Sequence, residues 1–101
     1  MIYDTRPFLE MVPKVRHSLK AESARRQGGG LGGSGTIEQL EYMVNELDRV
    51  EAEIRKGRLP VGTSQLECAR IVVDSWPCTD EDLLGLEIME LSRLYQQLCI
   101  R

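Results

Sequence analysis

Eight consecutive residues, Gly-Gly-Gly-Leu-Gly-Gly-Ser-Gly at positions 28–35, hold six of the nine glycines of this 101-residue chain. Glycine loses more backbone freedom on ordering than any other residue and brings no side chain to a core, so the run does not suit the interior of a helix or strand. It reads as a flexible tether between two patterned segments, residues 1–27 and 36–101. A glycine-rich chain of this length has a root-mean-square span of about 16 Å and reaches at most about 27 Å when extended, enough to cross a small domain. Its near-pure Gly/Ser composition also reads as an engineered joint between pieces of different origin.

Charge separates along the same boundary. Residues 1–27 carry six Lys/Arg against three Asp/Glu, whereas residues 36–101 carry seven against thirteen, and the whole chain has a net charge of −3. Opposite charges on tethered pieces speed encounter and set specificity more than they add affinity. The pattern suggests a ligand joined to its receptor.

Residues 36–101 read as three helices. Thr36 followed by Gln39 has the spacing of a capping box. Ile37, Leu40, Met43, Val44, Leu47, Val50 and Ile54 then recur at three- and four-residue steps, with Glu38, Glu41, Glu46, Asp48, Arg49, Glu51, Glu53 and Arg55 on the solvent side. Lys56-Gly57 ends this helix, predicted over 37–56. After the Leu59-Pro60-Val61-Gly62 loop, Ser64 with Glu67 forms a second capping box, with Thr63 as the other possible cap. Leu66, Ala69, Ile71, Val72, Val73 and Trp76 give a short helix over 64–75 that Pro77 terminates. Thr79 caps a third, with Asp80, Glu81 and Asp82 at its positive dipole end. Its apolar residues, from Leu83, Leu84 and Leu86 through Ile88, Met89, Leu91, Leu94 and Tyr95 to Leu98 and Ile100, form a stripe wide enough for two neighbours. Gly85 lies inside it.

In the basic segment, Thr5-Arg6-Pro7 resembles a helix start. Pro13 is expected to kink or interrupt the helix, with a restart near Lys14, giving two short pieces. Phe8, Leu9, Val12, Val15 and Leu19 supply apolar anchors but too few to build a core alone, so the segment is expected to order only against a surface. The groove expected to take them is lined by Leu84, Ile88, Leu91, Tyr95 and Leu98, with Arg16, Lys20 and Arg25 meeting carboxylates at its rim.

Chemical motifs are missing from this pattern. His17 is the single histidine, which leaves no His-based triad and no two-histidine zinc site. Cys68, Cys78 and Cys99 have neither disulfide-framework nor zinc spacing and are expected as reduced thiols, Cys68 and Cys99 acting as small hydrophobes. The glycine run lacks the Lys-Ser/Thr of a phosphate loop, and the clusters Glu51/Glu53 and Asp80/Glu81/Asp82 lack the spacing of a calcium loop. No catalytic residues, metal ligands or cofactors are therefore expected, and the chain is not read as an enzyme. A net negative charge with only five aromatic residues argues against nucleic-acid binding. No apolar stretch approaches the roughly 20 residues of a membrane span, and Arg6, Glu10, Lys14 and Arg16 interrupt any signal-peptide core, so a cytoplasmic protein is expected.

The expected fold is all-α, a small bundle of about three helices on which a tethered N-terminal helical segment packs. The expected function is protein–protein interaction, as a regulatory adaptor, chaperone or anti-activator that sequesters an amphipathic helix of a protein partner, here supplied in cis by residues 1–27. The alternative is a homo-oligomeric helical bundle, a homodimer for example, in which the wide leucine face self-associates and the basic segment is an accessory tail.

Overall fold

The computed structural model describes residues 4–30, 35–60, 65–76 and 83–98. Four helices account for most of them: α1 (Arg6–Gln27), α2 (Ile37–Arg55), α3 (Glu67–Ser75) and α4 (Leu83–Gln97). Among the described residues there is no strand. Each helix packs on two others, α1 on α2 and α4, and α3 on the same pair from the opposite side. Cross-helix contacts fix the directions. Arg16 meets Asp48 and Glu51 while Gln27 meets Glu41, so α1 and α2 run antiparallel. Glu46 meets the start of α3 and Gln39 meets Trp76 at its end, so α3 opposes α2. Phe8 against Tyr95 and Ser18 against Glu87 make α4 antiparallel to α1. The result is an up-down-up-down four-helix bundle, the all-α class expected.

One core runs through all four helices. Phe8, Val12, Val15 and Leu19 of α1, Leu40, Met43, Leu47 and Ile54 of α2, Cys68 and Val72 of α3, and Ile88 and Leu91 of α4 are buried together, with Leu66, Trp76 and Leu98 at helix ends. The α2 stripe is the one its spacing predicts. On α4 the stripe divides: Gly85, Ile88, Leu91 and Ser92 turn inward, whereas Leu83, Leu86 and Met89 stay exposed. Two of the inward residues, Gly85 and Ser92, are small.

Pro13 does not divide the N-terminal segment. α1 is one 22-residue helix with Pro13 inside it. Proline removes one helical hydrogen bond, here to the Leu9 carbonyl. Pro13 sits on the exposed face, while Val12 and Val15 beside it are fully buried and hold both halves on the core. The start of α1 also differs in detail, because the Thr5 side chain makes no capping bond and Asp4 instead accepts from the Arg6 backbone N–H at 3.1 Å.

Both ends of the glycine run have defined structure. Gly30 N–H donates to the Arg25 carbonyl and Gly29 N–H to the Arg26 carbonyl, with Gly29 at φ +93°, which is a Schellman ending for α1. The same pair of bonds ends α2, from Arg58 to Glu53 and from Gly57 to Ile54, with Gly57 at φ +84°. At the far end of the tether Gly35 has φ +76°, and a Cβ there would fall 2.6 Å from Trp76 Nε1. The Gly35 carbonyl accepts from Arg26 Nη2 at 2.9 Å. Gly35→Ala is expected to cost about 1–2 kcal/mol from the left-handed backbone alone, with displacement of the indole in addition. A lowered melting temperature together with a red-shifted Trp76 emission checks this.

The capping box of α2 forms as its sequence predicts. Gln39 N–H donates to Thr36 Oγ1 and Thr36 N–H to Gln39 Oε1, both at 3.1 Å. α2 ends at Arg55, with Lys56 as its C-cap. For α3 the predicted caps Thr63 and Ser64 lie outside the described residues, but Gln65 and Leu66 are described and not helical, so the helix predicted from 64 begins at Glu67, with extended Leu66 as its N-cap. The predicted α4 cap Thr79, the carboxylates that follow it, Pro77, Cys78, Cys99 and Ile100 lie outside them as well. No described helix is long and apolar enough to cross a membrane.

Candidate functional site

The candidate site is the seat that α2 and α4 offer to α1, on the side of the bundle away from α3. Its floor is apolar. Leu40, Met43 and Leu47 of α2 and Ile88 and Leu91 of α4 have no exposed surface, and neither do Val12, Val15 and Leu19 of α1. Full burial of such a side chain contributes about 1.5–3 kcal/mol each. Phe8 packs its ring against Tyr95, with centroids 5.7 Å apart and planes inclined at 45°, a tilted geometry worth about 0.5–1.5 kcal/mol beyond burial. Leu9, Leu84 and Tyr95 are half-buried against this core, and Leu98 is buried. All ten residues predicted to form the contact are thus part of the same core or packed against it.

Acidic side chains stand on both lips of the seat. On the α2 side, Arg16 Nη1 donates to Glu51 Oε1 at 2.8 Å and to Asp48 Oδ1 at 3.1 Å. On the α4 side, Ser18 Oγ donates to Glu87 Oε2 at 3.1 Å. Gln27 Nε2 reaches Glu41 at 3.3 Å near the tether. Of the three cations predicted to meet the rim, Arg16 does so. Arg25 instead pairs with Glu22, one turn back on its own helix, because both project from the same outer edge of α1. Lys20 lines an open cleft of about 420 Å³ between α1 and α2, together with Ser23, Glu41 and Asn45.

The Arg16–Glu51 hydrogen bond, and secondarily the charges around it, raise the Arg16 pKa above its ordinary value. The same bond, helped by Arg55, holds the Glu51 carboxyl below the usual carboxylate range. Glu51 is therefore not the solvated residue its cluster suggests. A carboxyl whose pKa is lower in the folded chain contributes stability that is present above its unfolded value and is lost as the pH falls through the folded one. The Arg16 clamp is accordingly expected to act fully above about pH 4.3 and to fade below it. Glu51→Gln should flatten the acid limb of a stability-against-pH curve measured by chemical denaturation.

A second polar centre joins α2 to α3. Glu46 is buried, contrary to the solvent-facing position its helix pattern predicts. Its carboxylate accepts from the Glu67 backbone N–H at 2.7 Å, the Cys68 backbone N–H at 2.9 Å and Cys68 Sγ at 2.7 Å. Leu66 at the N-cap has no side-chain oxygen to offer, so a neighbouring helix supplies the anion that the positive end of α3 favours. Burial first, and then the Glu46 charge, push the Cys68 thiol well above its ordinary range, which makes it a poor nucleophile. The sequence holds a trace of this arrangement: Glu46 stands beside Leu47 and within one turn of Met43 and Val50, and so belongs to the edge of the apolar stripe.

Beyond this pair the described residues offer little chemistry. His17 is exposed, and no group of described histidine, cysteine or carboxylate side chains could hold a metal ion. A mixed-charge cleft of about 560 Å³ lies over Glu46, between the C-terminal half of α2, the 58–60 turn, the start of α3 and Tyr95. No protein-family model, curated protein or solved structure matches the chain.

Proposed function

We propose that residues 36–101 are a helical interaction module of the adaptor, chaperone or anti-activator kind, whose α2–α4 seat sequesters an amphipathic basic helix of a protein partner. Residues 1–27 provide such a helix in cis, and the glycine tether keeps it at an effective concentration of about the millimolar range. The mechanism is steric and needs no catalytic group or cofactor. The observation that carries this reading is the form of the α1 contact: a continuous helix with one apolar face fully buried between two others and a charged edge answered by carboxylates. That is the helix-in-groove mode of recognition. A cytoplasmic setting goes with it, since the free thiol of Cys68 is buried in the core and needs no oxidising compartment.

The test is to dislodge α1 by Phe8→Asp with Val12→Asp and to ask whether the rest of the chain stays helical and takes up a peptide of residues 4–27. Exposed Leu83, Leu86 and Met89 on α4 favour a second reading, self-association of two copies through that face. Sedimentation of the same two proteins separates them. A monomer that dimerises or binds peptide only after α1 is dislodged supports the sequestering seat; a dimer that persists whether α1 is seated or not supports the leucine face.

A further inference from the structure

The Asp48–Glu51 pair bears on which helix the seat admits, an inference that rests on the reading of the seat as a binding groove. These two carboxylates are three residues apart on α2 and converge on one guanidinium, Arg16. The contact is partly withdrawn from water on the Glu51 side, with 21% of the Arg16 side chain and 15% of the Glu51 side chain exposed, whereas Asp48 at the outer edge is 54% exposed. Charges in such a place are screened less than surface charges, and an acidic or neutral side chain there would leave Glu51 with Arg55 alone, which reaches its other oxygen at 3.2 Å.

Arg16 follows directly after the buried anchor Val15, and the buried anchors at 8, 12, 15 and 19 fix its height along the groove. A slide of α1 by one turn in one direction brings Lys20 to the carboxylates but puts Arg16 into the seat of Val12. The opposite slide brings Val12 to the carboxylates and puts Asp4 into the seat of Phe8. Each alternative register puts a charge into a seat that an apolar side chain fills, or strands the acidic pair against an apolar side chain. Glu87 on the other lip adds a third carboxylate, met by Ser18. The groove thus has an apolar floor, which does not discriminate by charge, and at Asp48 and Glu51 an acidic point that favours a cation.

We propose that Asp48 and Glu51 are the selectivity element of the groove, admitting a partner helix that carries arginine immediately after its third apolar anchor, spaced as Phe8, Val12 and Val15, and discriminating against one with an acid there. The experiment uses the full chain with α1 dislodged by F8D and V12D, and fluorescently labelled peptides of residues 4–27 with Arg16 or with R16E, read by fluorescence polarisation. The Arg16 peptide is expected to bind at least about tenfold more tightly, a preference of about 1.4 kcal/mol. Adding D48K and E51K to the chain is expected to reverse the order. Equal binding of the two peptides, or a preference that does not reverse, overturns the selectivity and leaves the groove standing. Binding of neither peptide overturns the groove and the selectivity together.

Should the dislodged chain aggregate, the same charges are tested within the intact protein. R16E and the pair D48K with E51K are each expected to lower the denaturation midpoint, and all three together to recover most of the loss. Losses that simply add overturn the proposal.

Discussion

Phe8→Asp combined with Val12→Asp is expected to free α1 from the bundle, at a cost of about 5 kcal/mol or the whole seating energy of α1, whichever is smaller. Phe8 is 1% exposed and Val12 is 0% exposed, and they lie one turn apart at the end of α1 that packs on Tyr95. Truncating a buried phenylalanine to alanine already costs about 3–5 kcal/mol through lost contacts and the cavity left behind. A carboxylate in the same place must also shed its water, and moving α1 into solvent is cheaper than burying two such charges. Hydrogen exchange separates the outcomes. Amides of residues 6–27 are expected to lose protection while those of α2 and α3 keep some, and added peptide of residues 4–27 should restore the protection of α4. Loss of protection throughout the chain, with no recovery on adding peptide, would mean that α1 is an indispensable part of an ordinary four-helix core and that residues 36–101 are no receptor.

The parts of this fold legible in the sequence are those decided within one or two turns. Thr36 with Gln39, Lys56 with Gly57, and the α2 stripe from Leu40 to Ile54 carry their own local geometry, and the structure forms each of them. The burial of the five apolar residues of α1 and of Leu84, Ile88, Leu91, Tyr95 and Leu98 in or against the core is legible for the same reason, since a periodic apolar face has to be buried somewhere. What local pattern could not supply was the outcome of competition between local preference and packing. Pro13 disfavours a helix by the loss of one hydrogen bond, yet Val12, Val15 and Leu19 are buried around it and their contacts outweigh that loss. Arg25 illustrates the converse. Counted as a cation it suited the rim, but its position on the helix turns it to Glu22 instead. Glu46 was the largest omission, because whether a glutamate at the edge of a stripe faces water depends on which helix end arrives opposite it.

Replacing Glu46 tests that arrival directly. Glu46→Ala is expected to lower stability by about 3–5 kcal/mol, since hydrogen bonds to a charged acceptor contribute about 1.5–3 kcal/mol each and buried donors left without one cost about 1–3 kcal/mol. At about 4–8 °C per kcal/mol for a domain of this size, the melting temperature should fall by more than about 12 °C. Glu38→Ala on the exposed face of the same helix should change stability by no more than about 0.5 kcal/mol. Helix α3 has only nine residues and no capping side chain of its own, so without the Glu46 carboxylate its first turn is expected to fray. Cys68 sits in that turn and reports on it. With Glu46 gone, the two largest causes that raise the thiol pKa weaken, because the fraying admits water and the negative charge is removed. Labelling by a thiol reagent at neutral pH should therefore accelerate at Cys68, located by peptide mapping. Glu46→Gln keeps one of the two accepting oxygens and sets its amide NH2 against the other backbone donor, so an intermediate loss of stability and a smaller gain in labelling are expected. If Glu46→Ala melts within about 2 °C of the parent and Cys68 stays unreactive, the carboxylate does not hold α3, and burial of Leu66, Ala69 and Val72 must dock that helix unaided.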